Sequence, residues 1–463
     1  MWELDGNGSR NMFPNFNLFF TKYWNLKIVK DAVSLFIGRG INLAIGFFST
    51  LVYGIVFSNT EIAQINLFEM VASMFLSFGF TWSAFGIIRF GKEEELSKGT
   101  INHTSSVRLW VVFPLLTISI LLIILFRNNL LNYIGTNDRS MIPYLIVNVV
   151  LFVSHEHITS TLTTAEKHRQ NVLFYLGISV GKLCLLIVFY FHCLDVTAEL
   201  YIKVNVAVLF VLLFLRIPFL KKNYFLPFGS VSKKDLITFL KFVIPQIYGF
   251  TGLYLIDWMD VYFIRRSCDL AELGSYQFLY SIFMKIASFA LLLNTLFFPK
   301  IVNWKNYDQT KLKKYLKRFP NFIFLISMLS IALFISIYYP AFSCFFKDKY
   351  VVAYPSFNLI LLTIPFYFLV YVFVPVLNTY ERVRYIQVVN LVSALSNLLI
   401  DFFLIKHIGI VAAAFGTFVA FFIKYLLLLF AIMKMFQRHY ILLILGSSLV
   451  GLSVMVYILH LCL

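Results

Sequence analysis

Charge is scarce in this chain. Only 13% of its 463 residues are Asp, Glu, Lys or Arg, against roughly a quarter in an ordinary soluble protein. With 60% hydrophobic residues and a mean hydropathy of +0.83, a soluble domain of this length could not hide its apolar surface. The same composition excludes intrinsic disorder. Cysteine is also sparse. The five present (Cys184, Cys193, Cys268, Cys344, Cys462) are odd in number and lack paired metal spacing, which excludes a secreted disulfide scaffold and offers no metal site. Short segments of alternating polarity, as a porin-type barrel needs, are missing too. The apolar residues fall instead into continuous runs of about 20, the length that crosses a bilayer as a helix. No apolar stretch precedes Asp31, so no cleavable signal is expected. Residues 1–31 read as a cytoplasmic lead-in with an interfacial helix near 13–23.

The runs predict thirteen spans, near 32–57, 65–88, 109–127, 142–165, 172–192, 198–218, 236–263, 276–302, 320–343, 355–378, 386–405, 408–431 and 441–461. Alternate connections sort the basic residues sharply. With the N-terminus inside, the inner segments hold 27 Lys and Arg and the outer ones 7, as the retention of basic loops on the cytoplasmic side requires. The formal charge of +17 is therefore mostly topology, and a nucleic-acid partner is not implied. Five cations are left inside predicted spans: Arg39, Lys182, Lys203, Lys285 and Lys424. Each costs at least about 2.5 kcal/mol at mid-bilayer unless it finds water, a partner or an anion.

The chain also repeats itself. Leu162-Thr163-Thr164-Ala165-Glu166-Lys167-His168-Arg169 and Leu377-Asn378-Thr379-Tyr380-Glu381-Arg382-Val383-Arg384 share Leu, Thr, Glu and Arg at an offset of 215. Thr60-Glu61-Ile62-Ala63 is echoed by Ala271-Glu272-Leu273-Gly274 at an offset of 211. Matches six spans apart predict a duplicated six-helix unit. An even span number keeps the copies parallel, with their axis along the membrane normal.

Residues Leu377 to Thr417 carry a family resemblance: a short Glu-Arg loop, a helix with Asn390 and Asn397, then Leu404-Ile405 and Gly409-Ile410-Val411-Ala412-Ala413-Ala414. So do Ser34 to Asn42, as a first helix, and Asp257-Trp258-Met259-Asp260 through Tyr276, as a seventh helix and its loop. The sequence resembles the polysaccharide or O-antigen flippases (Wzx type) of the multidrug/oligosaccharidyl-lipid/polysaccharide (MOP) exporter superfamily. Ala412 stands where that family usually has Gly. The resemblance implies an all-α, two-lobe transporter of the MATE/MOP type, with two parallel six-helix repeats and a C-terminal helix. It also implies a lipid-linked oligosaccharide substrate on undecaprenyl diphosphate, translocated by alternating access. Ala412, Gly416 and Ala420, four residues apart, read as a small-residue packing stripe.

Against that background the five cations form a substrate-binding set. A cleft lined by Arg39, Lys182, Lys203, Lys285 and Lys424 would attract a diphosphate head. The plain alternative is snorkelling or pairing, with Lys203 and Arg39 near enough to span ends to reach an interface. Ion-coupling candidates are Asp257, Asp260 and Glu69, with H⁺ or Na⁺ as the coupling ion. Asp257 falls at the depth of Lys285, so the two are expected to pair. Asp260 is expected to be satisfied by Arg265 or Arg266, and Glu69 has no obvious partner.

Two motifs are set aside. His155-Glu156-His157 puts its histidines at i, i+2, pointing apart on a helix, so zinc is not expected. Gly177-Ile178-Ser179-Val180-Gly181-Lys182 is one residue short of a phosphate-binding loop and lacks Ser or Thr after Lys. The outer connections are too short to hold a sugar acceptor, so no enzyme is expected, nor any cofactor or catalytic residue.

The expected organisation is a cytoplasmic segment (1–31), a six-helix lobe (32–220), a cytoplasmic linker (221–235), a second lobe (236–431) and an extra helix (432–463). The expected place is the bacterial inner membrane, with the N-terminus cytoplasmic. Membrane lipids, a polysaccharide polymerase and a chain-length regulator are the implied partners. A multidrug/cation antiporter and a peptidoglycan-precursor (lipid II) flippase remain as alternatives.

Overall fold

The computed structural model describes residues 27–191, 196–220, 224 and 230–436. The helix expected near 13–23 and the thirteenth span lie outside them. The described residues are nearly all helical and contain no strand. We number the helices α1 (Lys27–Val56), α2 (Asn59–Gly79), α3 (Asn102–Leu125), α4 (Met141–Thr164), α5 (His168–Phe191) and α6 (Ala198–Arg216). The second set has three broken members: α7a (Lys233–Val243) and α7b (Gln246–Ser267), α8a (Leu270–Ala287) and α8b (Phe289–Tyr307), and α10a (Tyr354–Leu361) and α10b (Ile364–Thr379). Between and after them run α9 (Gln309–Phe346), α11 (Val383–Ile408) and α12 (Ile410–Met435). Ten of the described helices are long and apolar enough to cross a membrane, eleven if the bent α7 counts as one.

Helix starts follow local chemistry. Ser58 and Glu61 form a capping box at α2, and Ser232 and Asp235 do the same at α7a. At α3 the cap comes from a distance: the Glu94 carboxylate accepts from the N–H groups of His103 and Thr104 and the hydroxyls of Thr100 and Thr104. The break in α7 falls at Pro245, where no N–H is available to continue the ladder.

The repeat is physical. Helix starts recur at offsets of 211 (α2 and α8a), 215 (α5 and α11) and 212 (α6 and α12). The two Leu-x-Thr-x-Glu-x-x-Arg turns have the same backbone. Glu166 and Glu381 both sit at positive φ, 55° and 60°. Lys167 and Arg382 donate their N–H to the carbonyls of Leu162 and Leu377 at 2.8 and 2.9 Å. Each turn is held from the preceding unit by a lysine: Lys92 donates to the carbonyl of Thr164 at 3.3 Å, and Lys305 to that of Thr379 at 2.8 Å.

The lobes meet along α1 and α2 on one side and α7 and α8 on the other. The end carrying the C-terminus of α1, the outer end under the expected topology, is sealed between lobes. Lys349 donates its ammonium to the carbonyls of Gly54 (2.7 Å) and Phe57. Tyr350 donates to Gly54, and the Asn59 amide donates to Ser275 and to the Lys349 carbonyl, each at 2.8 Å. A Cβ on Gly274 would collide with the Asn59 carbonyl, so only glycine allows α8 to approach α2 this closely. At the opposite end α7a packs Phe239 and Val243 on Trp82, Val107 and Val111, and His103 lies 3.4 Å from Asp235.

Candidate functional site

Polar side chains gather in three regions of the described residues. The first is a cavity of about 280 Å³ between the lobes, near the lower end of small-ligand pockets. Helix α1 contributes Gly46, Ser49, Thr50 and Tyr53; α2 contributes Ile65, Asn66 and Glu69; α5 contributes Ser179, Lys182 and Leu186. Tyr201 comes from α6, and Gln277, Ser281 and Lys285 come from α8a. Ser49 and Thr50 donate their hydroxyl protons to the carbonyls of Ile45 and Gly46, which leaves oxygen lone pairs to the cavity. Tyr53 Oη and Gln277 Oε1 are buried with no protein partner.

Lys182 and Lys285 enter this space from opposite lobes. Lys182 Nζ is 3.7 Å from Glu69 Oε1, so Glu69 has the partner its sequence context did not reveal. Lys285 lies along α1 at Gly46, where an added Cβ would sit 3.4 Å from its ammonium nitrogen. It feels the charges of Lys182 and Glu69. The expected Asp257–Lys285 pair is therefore corrected. Lys285 turns to the interlobe cavity, and the cation within electrostatic reach of Asp257 is Lys424. Lys424 itself lies 5.6 Å from the ring centroid of Phe421.

The expected five-cation cleft also contracts. Lys203 pairs instead with Asp138, in the loop just before α4, at 2.7 Å. Arg39 is exposed on α1 and does not line the cavity. Of the five, the structure brings Lys182 and Lys285 together.

The second region is dry. Asp260 on α7b is 4% exposed. It accepts from Asn397 Nδ2 at 2.6 Å through one oxygen, and from the hydroxyls of Tyr276 and Thr417, both at 2.8 Å, through the other. Asp401, 1% exposed on α11, lies within hydrogen-bonding reach of Asp260, and neither of its oxygens finds a donor. The expectation that Arg265 or Arg266 would satisfy Asp260 is corrected. Arg265 reaches away to the carbonyls of Tyr133 and Asn132 at 2.9 and 3.1 Å. Gly416 lines the cluster, and a Cβ there would sit 2.5 Å from Asn397 Oδ1 and 2.9 Å from Asp401 Oδ1. Gly416, the middle residue of the Ala412-Gly416-Ala420 stripe, thus brings α12 close to α11 and leaves room for the acids.

Two buried carboxylates without an arginine or lysine in contact need a shared proton or cation, because like charges cannot both stand ionised in a desolvated site. The oxygens of Asp260, Asp401, Asn397 and Thr417 are hard donors suited to H⁺ or a small alkali cation. Asp401 was missed in the sequence. Its signal was the i, i+4 spacing to Asn397, which places both on one face of α11.

The first lobe has a polar core of its own. Arg108, 0% exposed, donates to Glu156 at 2.8 Å and to Ser83 at 2.9 Å, with His157 Nδ1 at 3.2 Å. Arg216 donates to the carbonyl of His155 and to Asn171 and covers the Phe174 ring. The two histidines of His155-Glu156-His157 face different helices, His155 reaching the Leu209 carbonyl on α6. Both arginines fall in segments that the charge sorting assigned to cytoplasmic loops.

No protein-family model and no curated protein sequence matches the chain. Solved structures do. A lipid II flippase MurJ in an inward closed conformation superposes with a TM-score of 0.68 at 16% identity, over 93% of each chain. An inward-facing multidrug resistance MATE transporter of the MOP superfamily gives 0.63 at 10% identity, over 86% of this chain and 96% of that one. An outward-facing MATE transporter of the same superfamily gives 0.55 at 12%, over 88% and 95%. The chain has the two-lobe fold of MOP-superfamily transporters.

Proposed function

We propose that this protein is a flippase that moves an undecaprenyl-diphosphate-linked oligosaccharide, a surface-polysaccharide or O-antigen repeat unit, across the bacterial inner membrane by alternating access. One observation carries the reading: Lys182 and Lys285, from opposite lobes, converge on one polar interlobe cavity. Two cations facing each other across a cleft suit a diphosphate, which both lobes would then hold. A drug/cation antiporter would need a predominantly acidic cavity, but this one sets a single acid, Glu69, against two lysines, and the buried acid pair lies elsewhere, in the second lobe. Against the lipid II reading, the resemblance at Leu377 to Thr417 favours a polysaccharide precursor, and essentiality separates the two.

In this reading residues 32–220 and 236–431 are the rocking lobes, 221–235 is a cytoplasmic linker, and the N-terminus is cytoplasmic. The Asp260–Asp401 pair is the coupling site for H⁺ or Na⁺, with Asp257 and Lys424 beside it. A polymerase and a chain-length regulator would act on the product. Transport rather than bond chemistry is the activity.

The test is flipping of a labelled undecaprenyl-diphosphate glycan in proteoliposomes. Lys182→Ala and Lys285→Ala should each lower the rate about tenfold or more, the worth of one lost charge-assisted hydrogen bond. Wild-type rates in both variants, at equal protein levels, would overturn the reading.

A further inference from the structure

The cavity holds one acid among its lysines, and the proposed substrate is itself an acid. Glu69 therefore occupies ground that a phosphate would contest. Its contact with Lys182 is loose: 3.7 Å, against 2.7 Å for the Lys203–Asp138 pair at the outer end. Charge-assisted N–H···O bonds run about 2.7–2.9 Å. Both side chains keep about a third of their surface open to the cavity, 33% for Lys182 and 39% for Glu69. Lys182 has three donors and, among the described residues, no other carboxylate within salt-bridge range, so most of its hydrogen-bonding capacity there is uncommitted. The buried and unpartnered Gln277 Oε1 and Tyr53 Oη mark the same space as built for a polar occupant.

We propose that Glu69 is a charge-exchange residue: it neutralises Lys182 in the empty cavity, and the anionic head of the substrate displaces it from that lysine. The inference rests on the flippase reading and deepens it. With Glu69 in place the cavity's two lysines and one carboxylate sum to +1, too little to retain a diphosphate. Once the head has taken Lys182, the Glu69 carboxylate faces a polyanion across a few ångströms, and that repulsion favours release at the far side. A cavity with lysines alone would bind well and let go slowly. Glu69 is thus a specificity and release residue, not a structural clasp.

The test uses the full-length protein in nanodiscs, with farnesyl diphosphate as the binding probe and the labelled glycan for flipping. Glu69→Gln and Glu69→Ala should both bind farnesyl diphosphate about tenfold more tightly, since one repelling charge is gone. Both should flip the glycan more slowly, while Glu69→Asp stays near wild type. If wild type binds and Lys182→Ala binds more weakly, but neither neutral Glu69 variant tightens binding, the charge-exchange role is overturned and the flippase reading stands. If wild type does not bind the probe, or Lys182→Ala and Lys285→Ala bind it unchanged, the flippase reading itself fails and takes this inference with it.

Discussion

The two lobes build the same cradle and fill it with opposite charge. In the second lobe Asp260, Tyr276, Asn397, Asp401 and Thr417 converge from α7b, α8a, α11 and α12. Applying the helix offsets of 211, 215 and 212 to these positions gives Ser49, Ile65, Lys182, Leu186 and Asn205 in the first lobe. Four of these five line the interlobe cavity, and the fifth, Asn205, is buried with its Oδ1 unpartnered. Duplication therefore supplied the geometry twice, and side chains decided what each copy does. Where one lobe has acids that call for a mobile proton or cation, the other carries a tethered ammonium that needs no ion. In the proposed reading the ionic chemistry falls to one lobe, and the anion-facing chemistry is shared across the cleft with Lys285.

Removing the acids should break this comparison most severely. Asp260→Ala strips the acceptor from three donors and should cost about 1–3 kcal/mol per stranded group, enough to lower expression and thermal stability visibly. Asp401→Asn is the cleaner probe, since it keeps shape and polarity and removes one of the two carboxyls that share the proton or cation. It should leave the protein folded and reduce ion-driven flipping to background, measured with an imposed H⁺ or Na⁺ gradient. Normal gradient-driven flipping in Asp401→Asn would show that the acid cradle is packing and that the asymmetry between lobes is not functional.

Much of the scaffold was legible beforehand. Most span positions came from apolar run length, which the bilayer dictates, although α2 runs from Asn59 to Gly79 instead of 65–88. The broken α8a–α8b is not among the helices apolar enough to cross. The duplicated turns came from Thr-x-Glu spacing, which the left-handed Glu166 and Glu381 explain. The cations inside spans were legible because charge at membrane depth is conspicuous. Partnerships were not. Depth in the bilayer put Asp257 beside Lys285, but depth says nothing about azimuth, and the two face different clefts. Arg108 and Arg216 were hidden by the opposite error: near a span end, a buried arginine and a loop arginine look alike in sequence. The exchange of chemistry between equivalent positions could be read only after the helices fixed the offsets.

A smaller effect should come from the features the lobes share. Lys92 and Lys305 hold the two equivalent turns, and they differ in their second contacts. Lys92 also pairs with Glu95 at 2.8 Å and Glu166 at 3.0 Å, and Lys305 lies 4.8 Å from the Tyr380 ring centroid. Each Lys→Ala change should cost about 0.5–1.5 kcal/mol, read as a modest drop in thermal stability in detergent, with flipping largely retained. If either variant instead abolishes flipping at wild-type stability, the turns are moving parts, and the shared scaffold is not inert.

The smallest effect is expected at Lys203, and it sharpens the comparison by deciding which cations belong to the cleft. Asp138 has its carboxyl held down to about 2, first by the Lys203 ammonium and then by the hydroxyl and N–H of Ser140. A carboxyl lowered in the folded state contributes stability that is complete above the unfolded value, near 3.8, and is lost as pH falls through about 2. Between about pH 5 and neutral pH the Asp138 carboxylate therefore stays ionised and cannot shape a transport profile. It is also partly exposed, 31% and 35% for the two side chains, so solvent screening leaves it little energetic weight. Lys203→Met should then flip the glycan within about twofold of wild type, as expected for an exposed pair, with a parallel pH profile over that range. Loss of transport as large as that of Lys182→Ala, or a displaced profile, would return Lys203 to the substrate path and make the first lobe's cationic cradle wider than the two-lysine cleft drawn from its geometry.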